Sequence, residues 1–346
     1  MSYAEVSLEL PCSQSLWQAR SAQAWRKIYL EKFSQNDRLP SLANCIHDIK
    51  PLHNAQDLVD LQLSTSIILH AIWTHISDYR HLEFVLRFQA PDRLTLISTS
   101  WHQELCDRLK RFRITASEWD GGLRPEAIML EELFLMNLHV SFEELQLFAG
   151  KEGNEEAQRV YPLLKQWFDN EKSRRAMFHA GQVVRAAVAF PPNHLRDFYA
   201  IALYHASLAF WVYGMLSLGS SRSRKRRNQT SSLYPTTNGS LSSSPYDYGN
   251  NANTAADNEL IWLDGDSTAE TERFITIHRG TPVLSDNMAG NGGFVRLDDP
   301  RAVMETMVNV MGRNCPHGKA NVPPLVENLG LLMRDLGHAA RIVNVS

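Results

Sequence analysis

One stretch constrains this chain more than any other. From Phe198 to Leu218 run 21 residues without a formal charge, "FYAIALYHASLAFWVYGMLSL", and five basic residues then crowd into Arg222–Arg227. That pattern fits a membrane-spanning helix with a positive cytoplasmic flank. It fits equally a helix buried on all sides in a large helical domain, followed by a solvated basic segment.

Three features favour burial. Tyr204, Phe210, Trp211 and Tyr213 cluster within the stretch, whereas interfacial aromatics gather at the ends of a span. Strongly apolar residues such as Ile201, Leu203 and Leu216 each gain only about 0.3–0.6 kcal/mol on insertion. His205, two serines and Gly214 erode that gain. The other helices are amphipathic and need a common core to cover. A core helix is therefore expected, with no membrane.

The rest of the chain has the size and composition of a soluble protein. Its 346 residues carry 44% hydrophobic and 21% charged side chains, and a net charge of -3 offers no general footprint for a polyanion. The four cysteines, Cys12, Cys45, Cys106 and Cys315, lie too far apart for a zinc knuckle or a redox pair. The start, "MSYAEVSLEL", lacks a basic n-region and is not expected to be a signal peptide.

Helical periodicity dominates up to the uncharged stretch. Helices are expected over "SQSLWQARSAQAWRKIYLEKF", over the long run ending before Pro91, from Asp92 to about Arg113, and from Pro125 to Gly150. Two more follow at Asn154–Asn170 and Glu171–Phe190, stopped by Pro191–Pro192. No strand alternation is sustained. From Ser217 to Asn258 the chain turns to Ser, Thr, Asn, Gly and Pro, a composition that reads as disordered. Short helices are expected again at Thr268–Ile277, Asp299–Met311 and Pro323–Val343, with "MAGNGG" as a loop. The fold class is all-α, a large multi-helix domain with a long disordered insertion. Residues 1–216 form the helical body, 217–258 the insertion and 259–346 a C-terminal helical part packing on the body.

The sequence carries few motifs of known chemistry. His70 and His75, five apart on one helix, diverge by about 140°. Asp78/His81 and Asp335/His338 share helix faces and read as polar surface pairs. No Glu-x-x-His pair of a di-metal bundle is present. "GNGG" at Gly290–Gly293 lacks the ending of a phosphate loop and reads as a turn. No G-x-S-x-G elbow occurs, and His205, Tyr204, Trp211 and Tyr213 read as core side chains. No catalytic, cofactor-binding or metal-ligating residue is assigned, and no enzyme is expected. The basic cluster Arg222, Arg224, Lys225, Arg226 and Arg227 is the sharpest local signal. It reads as a nuclear import segment, with a nucleic-acid or acidic-lipid patch, or a solvated run without specific role, as its other readings.

Several blocks resemble a known family. "MFHAGQVVRAA", carrying His179, Ala180, Gly181 and Gln182, precedes "LRDFYAIALYHASLAFWVYG", with Tyr204, His205, Ala206, Trp211, Tyr213 and Gly214. Leu16 and Trp17 near the start, and Leu263, Asp264 and Gly265 in "IWLDGD", complete the set. Together they are similar to the fungal-specific transcription factor regulatory domain, or middle homology region, of the version that follows tandem two-Cys, two-His zinc fingers. The resemblance covers nearly the whole chain outside the insertion.

It implies a nuclear, all-α regulatory domain whose partners are co-regulator proteins, a second copy or a small-molecule inducer. The signature residues are expected to be structural. The chain departs from the pattern in having no closely spaced Cys and His ligands. Zinc, and DNA contact, are expected only through a separate upstream module, whether lost or lying on a longer chain. A non-nuclear helical adaptor and an all-α enzyme are the alternatives.

Overall fold

A computed structural model describes residues 7–33, 37–89, 91–119, 121–231, 259–286, 292–315 and 322–345. The fold is all-α: helices account for 71% of the chain, 14 of them among the described residues, beside one small sheet. The backbone divides into two compact units, Met1–Leu138 and His139–Ser346. The division thus falls inside the expected body. Residues 259–345 belong to the second unit, with residues 139–231.

Unit 1 begins with four short helices, α1 (Gln14–Trp17), α2 (Ala22–Lys32), α3 (Leu42–His47) and α4 (Lys50–Asn54). Long helices α5 (Leu61–Gln89) and α6 (Pro91–Ala116) follow, and α7 (Pro125–His139) closes the unit. The expected N-terminal helix is broken between α1 and α2, where the Ser21 side chain accepts from the Ala24 N–H and starts a new helix. On α5, Ile68, Leu69, Ile72, Ile76 and Tyr79 are buried, and on α6 Leu105, Leu109, Phe112 and Ala116. Both sets follow the three- and four-residue spacing of one helix face.

α7 also buries two carboxylates, Glu131 and Glu132, each 1% exposed. Arg113 of α6 serves both: its Nε lies 2.9 Å from Glu131 Oε1 and its Nη1 2.7 Å from Glu132 Oε1. Burial raises the Glu131 carboxyl to about 8; Arg113 opposes the shift and the Glu132 charge adds to it.

Unit 2 is built round the uncharged stretch. Helices α8 (Phe142–Phe148), α9 (Asn154–Phe168) and α10 (Glu171–Val188) lead into α11 (Asp197–Ser231). The expected single helix from Pro125 to Gly150 is interrupted at Val140–Ser141, where the Ser141 hydroxyl caps α8 through the Glu144 N–H. α11 is the one described helix long and apolar enough to cross a membrane, and 72% of its window is buried inside the structure. Its side chains from Ala206 to Tyr213 are all buried, as a central helix requires. Helical backbone continues past Ser217 to Ser231, beyond the expected start of the insertion. Residues 232–258, the remainder of the expected insertion, lie outside the described residues.

The C-terminal part holds strands that no alternation announced. β1 (Leu260–Trp262) pairs in parallel with β2 (Thr281–Asp286), and β2 pairs antiparallel with β3 (Gly293–Arg296). α12 (Ala269–Ile277) makes the crossover between β1 and β2. β1 and β3 are only three and four residues long, and β2 buries two adjacent residues, Val283 and Leu284, so a period of two does not show. Gly280, at φ +95°, enters β2; a Cβ there would stand 2.6 Å from Ile261 Cγ1. Of "MAGNGG", Gly292 lies in a turn, Gly293 opens β3 and the preceding four residues are outside the described ones. α13 (Pro300–Arg313) and α14 (Pro324–Val345) finish the chain. Thr268 and Asp299 cap α12 and α13 at the positions where helices were expected to start.

Candidate functional site

Two of the blocks singled out in the sequence meet in unit 2, where α10 packs on the turn between β1 and α12. Gly181 faces that turn so closely that a Cβ would lie 2.2 Å from the Leu263 carbonyl oxygen. The next residue uses this approach. Gln182 Nε2 donates to the Leu263 and Gly265 carbonyls, each at 2.8 Å. Arg185, one turn on, donates to the Gly265 carbonyl at 3.2 Å and pairs with Asp266 at 2.7 Å. From within the turn, Asp264 reaches the other way, its carboxylate accepting the Ser285 N–H of β2 at 3.0 Å. Leu263 is fully buried. Gly181, Gln182 and Arg185 thus form one side of a clasp and the Leu263–Gly265 turn the other, with Asp264 tying that turn to β2. Also on α10, the His179 ring stacks on His139, the first residue of unit 2, with centroids 5.6 Å apart.

A second contact extends the clasp. Arg174, 6% exposed, donates through Nε to the Ile275 carbonyl at 2.6 Å and through Nη1 to the Asn170 carbonyl at 3.1 Å. It supplies donors to the C-terminal end of α12, where carbonyls lack intrahelical partners. Arg174 stands outside the family-like blocks, yet its place in the helix carries a signal. Arg174, Met177, Gly181 and Val184 fall at three- and four-residue spacing on the buried face of α10.

The α11 block is spent on the same unit. Trp211 Nε1 donates to the Leu336 carbonyl at 2.9 Å. Tyr213, 3% exposed, has its hydroxyl 3.4 Å from His278 Nε2, and burial raises its pKa. Gly214 lies against β3 and α13: a Cβ there would sit 2.4 Å from the Leu297 carbonyl oxygen. Ala206 is fully buried, and burial also raises the partly exposed Tyr204.

His205 stacks on Phe142 at 4.5 Å, and its Nε2 lies 3.1 Å from Gln146 Nε2. Burial pushes the imidazole down to about 4, against a weaker opposing bond to the Ile201 backbone. An unfolded histidine takes up its proton near 6.5. Between those values the unfolded chain binds a proton that the folded chain refuses. Unit 2 should therefore lose stability as pH falls from about 6.5 toward 4. Urea midpoints at pH 7.5 and 4.5 should differ less in His205→Gln than in the native chain; an equal drop in both would remove this role for His205.

Leu16 and Trp17 belong to unit 1 and part company: Leu16 is 3% exposed and Trp17 73%. Arg222, Arg224, Lys225, Arg226 and Arg227 lie on the continued helical backbone of α11, near its end at Ser231.

His75 Nδ1 and Arg108 Nη1 are 3.0 Å apart, and His70 Nδ1 lies 2.7 Å from the Ser66 carbonyl, so the two rings serve different neighbours. On α6, Cys106 Sγ is 3.8 Å from His102 Nδ1, while His102 Nε2 donates to the Leu138 carbonyl at 3.2 Å. What the clasp does chemically is hold backbone: its donors meet main-chain carbonyls within the same unit. No protein-family model, curated protein or solved structure matches the chain.

Proposed function

We propose that this chain is the regulatory domain of a fungal sequence-specific transcription factor, working in the nucleus by contact rather than by catalysis. Its partners are co-regulator proteins, a second copy of itself or a small-molecule inducer. DNA is reached through a separate zinc-finger module, with zinc bound there and not in this chain. α11 serves as a core helix, and no membrane is involved.

The observation that supports this reading is how the signature blocks are used. Residues 179–182, 204–214 and 263–265 are far apart in sequence, yet all pack within one helical unit round α11. Side chains that carry the resemblance hold a scaffold together, as a domain whose output is a binding surface requires. Five basic residues follow the uncharged stretch on the helical backbone of α11. A cationic segment of that kind suits an import receptor.

A fluorescent fusion of residues 1–346 in a filamentous fungus should be nuclear. Changing Arg222–Arg227 to alanine should disperse the signal through the cytoplasm. A reticular, membrane-bound signal from the native fusion would overturn the reading, as would nuclear signal that the alanine change leaves intact for the import role.

A further inference from the structure

α13 and α14 enclose a groove of about 350 Å3 whose chemistry nothing above uses. Its floor is apolar, with Met304 buried and Val308 half-buried. Its walls carry three basic side chains, Arg301 from α13 and Arg334 and His338 from α14. Arg334 and His338 are four residues apart and so stand on one helix face. Gly337 lies between them, and a Cβ there would come within 3.3 Å of Met304 Cβ. The bare glycine lets the two helices approach beneath the groove.

Charge in the groove is unbalanced. Glu305 is the one carboxylate in the lining, and it pairs with Arg301 at 2.9 Å. Among the described residues the side chains of Arg334 and His338 have neither a hydrogen bond nor an ion pair. Asp335 follows Arg334 but is turned about 100° away round the helix, and it does not line the groove. An uncompensated guanidinium offers a planar fork of donors matched to a carboxylate. A concave site with an apolar floor and a few polar groups is what small ligands occupy, and its volume falls at the low end of the range of about 300–1,000 Å3.

We propose that the groove between α13 and α14 binds a small organic anion, a carboxylate head held by Arg334 and His338 with a short apolar body laid over Met304 and Val308. This inference goes beyond the transcriptional reading and does not depend on it. The groove would take its ligand whatever the domain regulates and wherever in the cell it resides.

The full chain should be titrated with sodium hexanoate and followed by isothermal calorimetry and by backbone amide shifts. Parallel titrations use 1-hexanol, which lacks the charge, and inorganic phosphate, which lacks the apolar body. Saturable hexanoate binding is expected, with shifts confined to α13 and α14. Arg334→Gln should raise Kd at least about tenfold, the usual loss for a charged hydrogen bond, and His338→Gln should weaken binding as well. Both side chains are exposed, so neither change should unfold the chain. Arg26→Gln, an exposed arginine of α2, should leave Kd unchanged. The proposal is overturned by any of three results: no saturable binding to the folded chain, equal affinity in Arg334→Gln, or hexanol or phosphate binding as tightly as hexanoate.

Discussion

Gly181→Ala should destabilise unit 2 by about 3 kcal/mol, although alanine is ordinarily the better helix former. Helix propensity alone would favour the change by about 1 kcal/mol. Space decides against it. The new methyl would lie 2.2 Å from the Leu263 oxygen, 2.4 Å from its carbonyl carbon and 2.7 Å from its Cβ. These are backbone atoms and the root of a buried side chain, so no flexible end can swing aside. Restoring ordinary contact distance moves the 263–265 turn away from α10. That turn is the acceptor for both Gln182 bonds, and each lost bond adds about 1 kcal/mol to an overpacking cost of about 1–3 kcal/mol. Gly330→Ala in α14 supplies the contrast, since nothing stands within 4 Å of a Cβ there. It should be neutral or stabilising by up to about 1 kcal/mol. Urea unfolding of the two variants checks the pair. Equal stability in both would mean that α10 does not approach the turn as described.

Asn314→Ala should cost about 3 kcal/mol. The side chain closes the turn between α10 and α11 from a residue more than a hundred positions away. Its Oδ1 accepts the Leu195 N–H at 2.7 Å, and its Nδ2 donates to the Pro191 and Phe190 carbonyls at 2.9 and 3.3 Å. The Asn314 main chain adds a bond from the Asn193 N–H. Leu195 is fully buried and Asn314 is 7% exposed, so water is poorly placed to replace the amide. Truncation leaves a buried N–H without an acceptor, the costly half of breaking a hydrogen bond. Pro191–Pro192 and the left-handed residues Asn193 and Asp197 make this turn intrinsically unfavourable to form. The variant should therefore lose hydrogen-exchange protection first at Leu195, ahead of the α11 core. Native-like protection at Leu195 would show that the turn holds itself.

Local signals explain which parts of the fold were legible. Thr268 and Asp299 are good N-caps, and the prolines after Phe190 stop α10, so those boundaries could be read. The breaks at Ser21 and Ser141 are capped just as well, but they sit inside continuous apolar periods that mask them. The carboxylates of Glu131 and Glu132 look like surface residues in the sequence. Only the packing of α6 on α7 brings Arg113 to them. The clasp was legible as distinctive blocks and not as a contact, because Gln182 and its acceptors are 81 and 83 residues apart. His338 read as the partner of Asp335; the structure instead sets it beside Arg334 in the groove.

Transcription from a tethered domain tests the central claim most directly. Residues 1–346 would be fused to an unrelated DNA-binding module upstream of a reporter in a fungal cell, beside the module alone and the Gly181→Ala fusion. A regulatory domain should move reporter output several-fold from the module alone, upward or downward, and the Gly181→Ala fusion should lose that effect. Output equal to the module alone, from a fusion shown to be folded and nuclear, would contradict the regulatory reading.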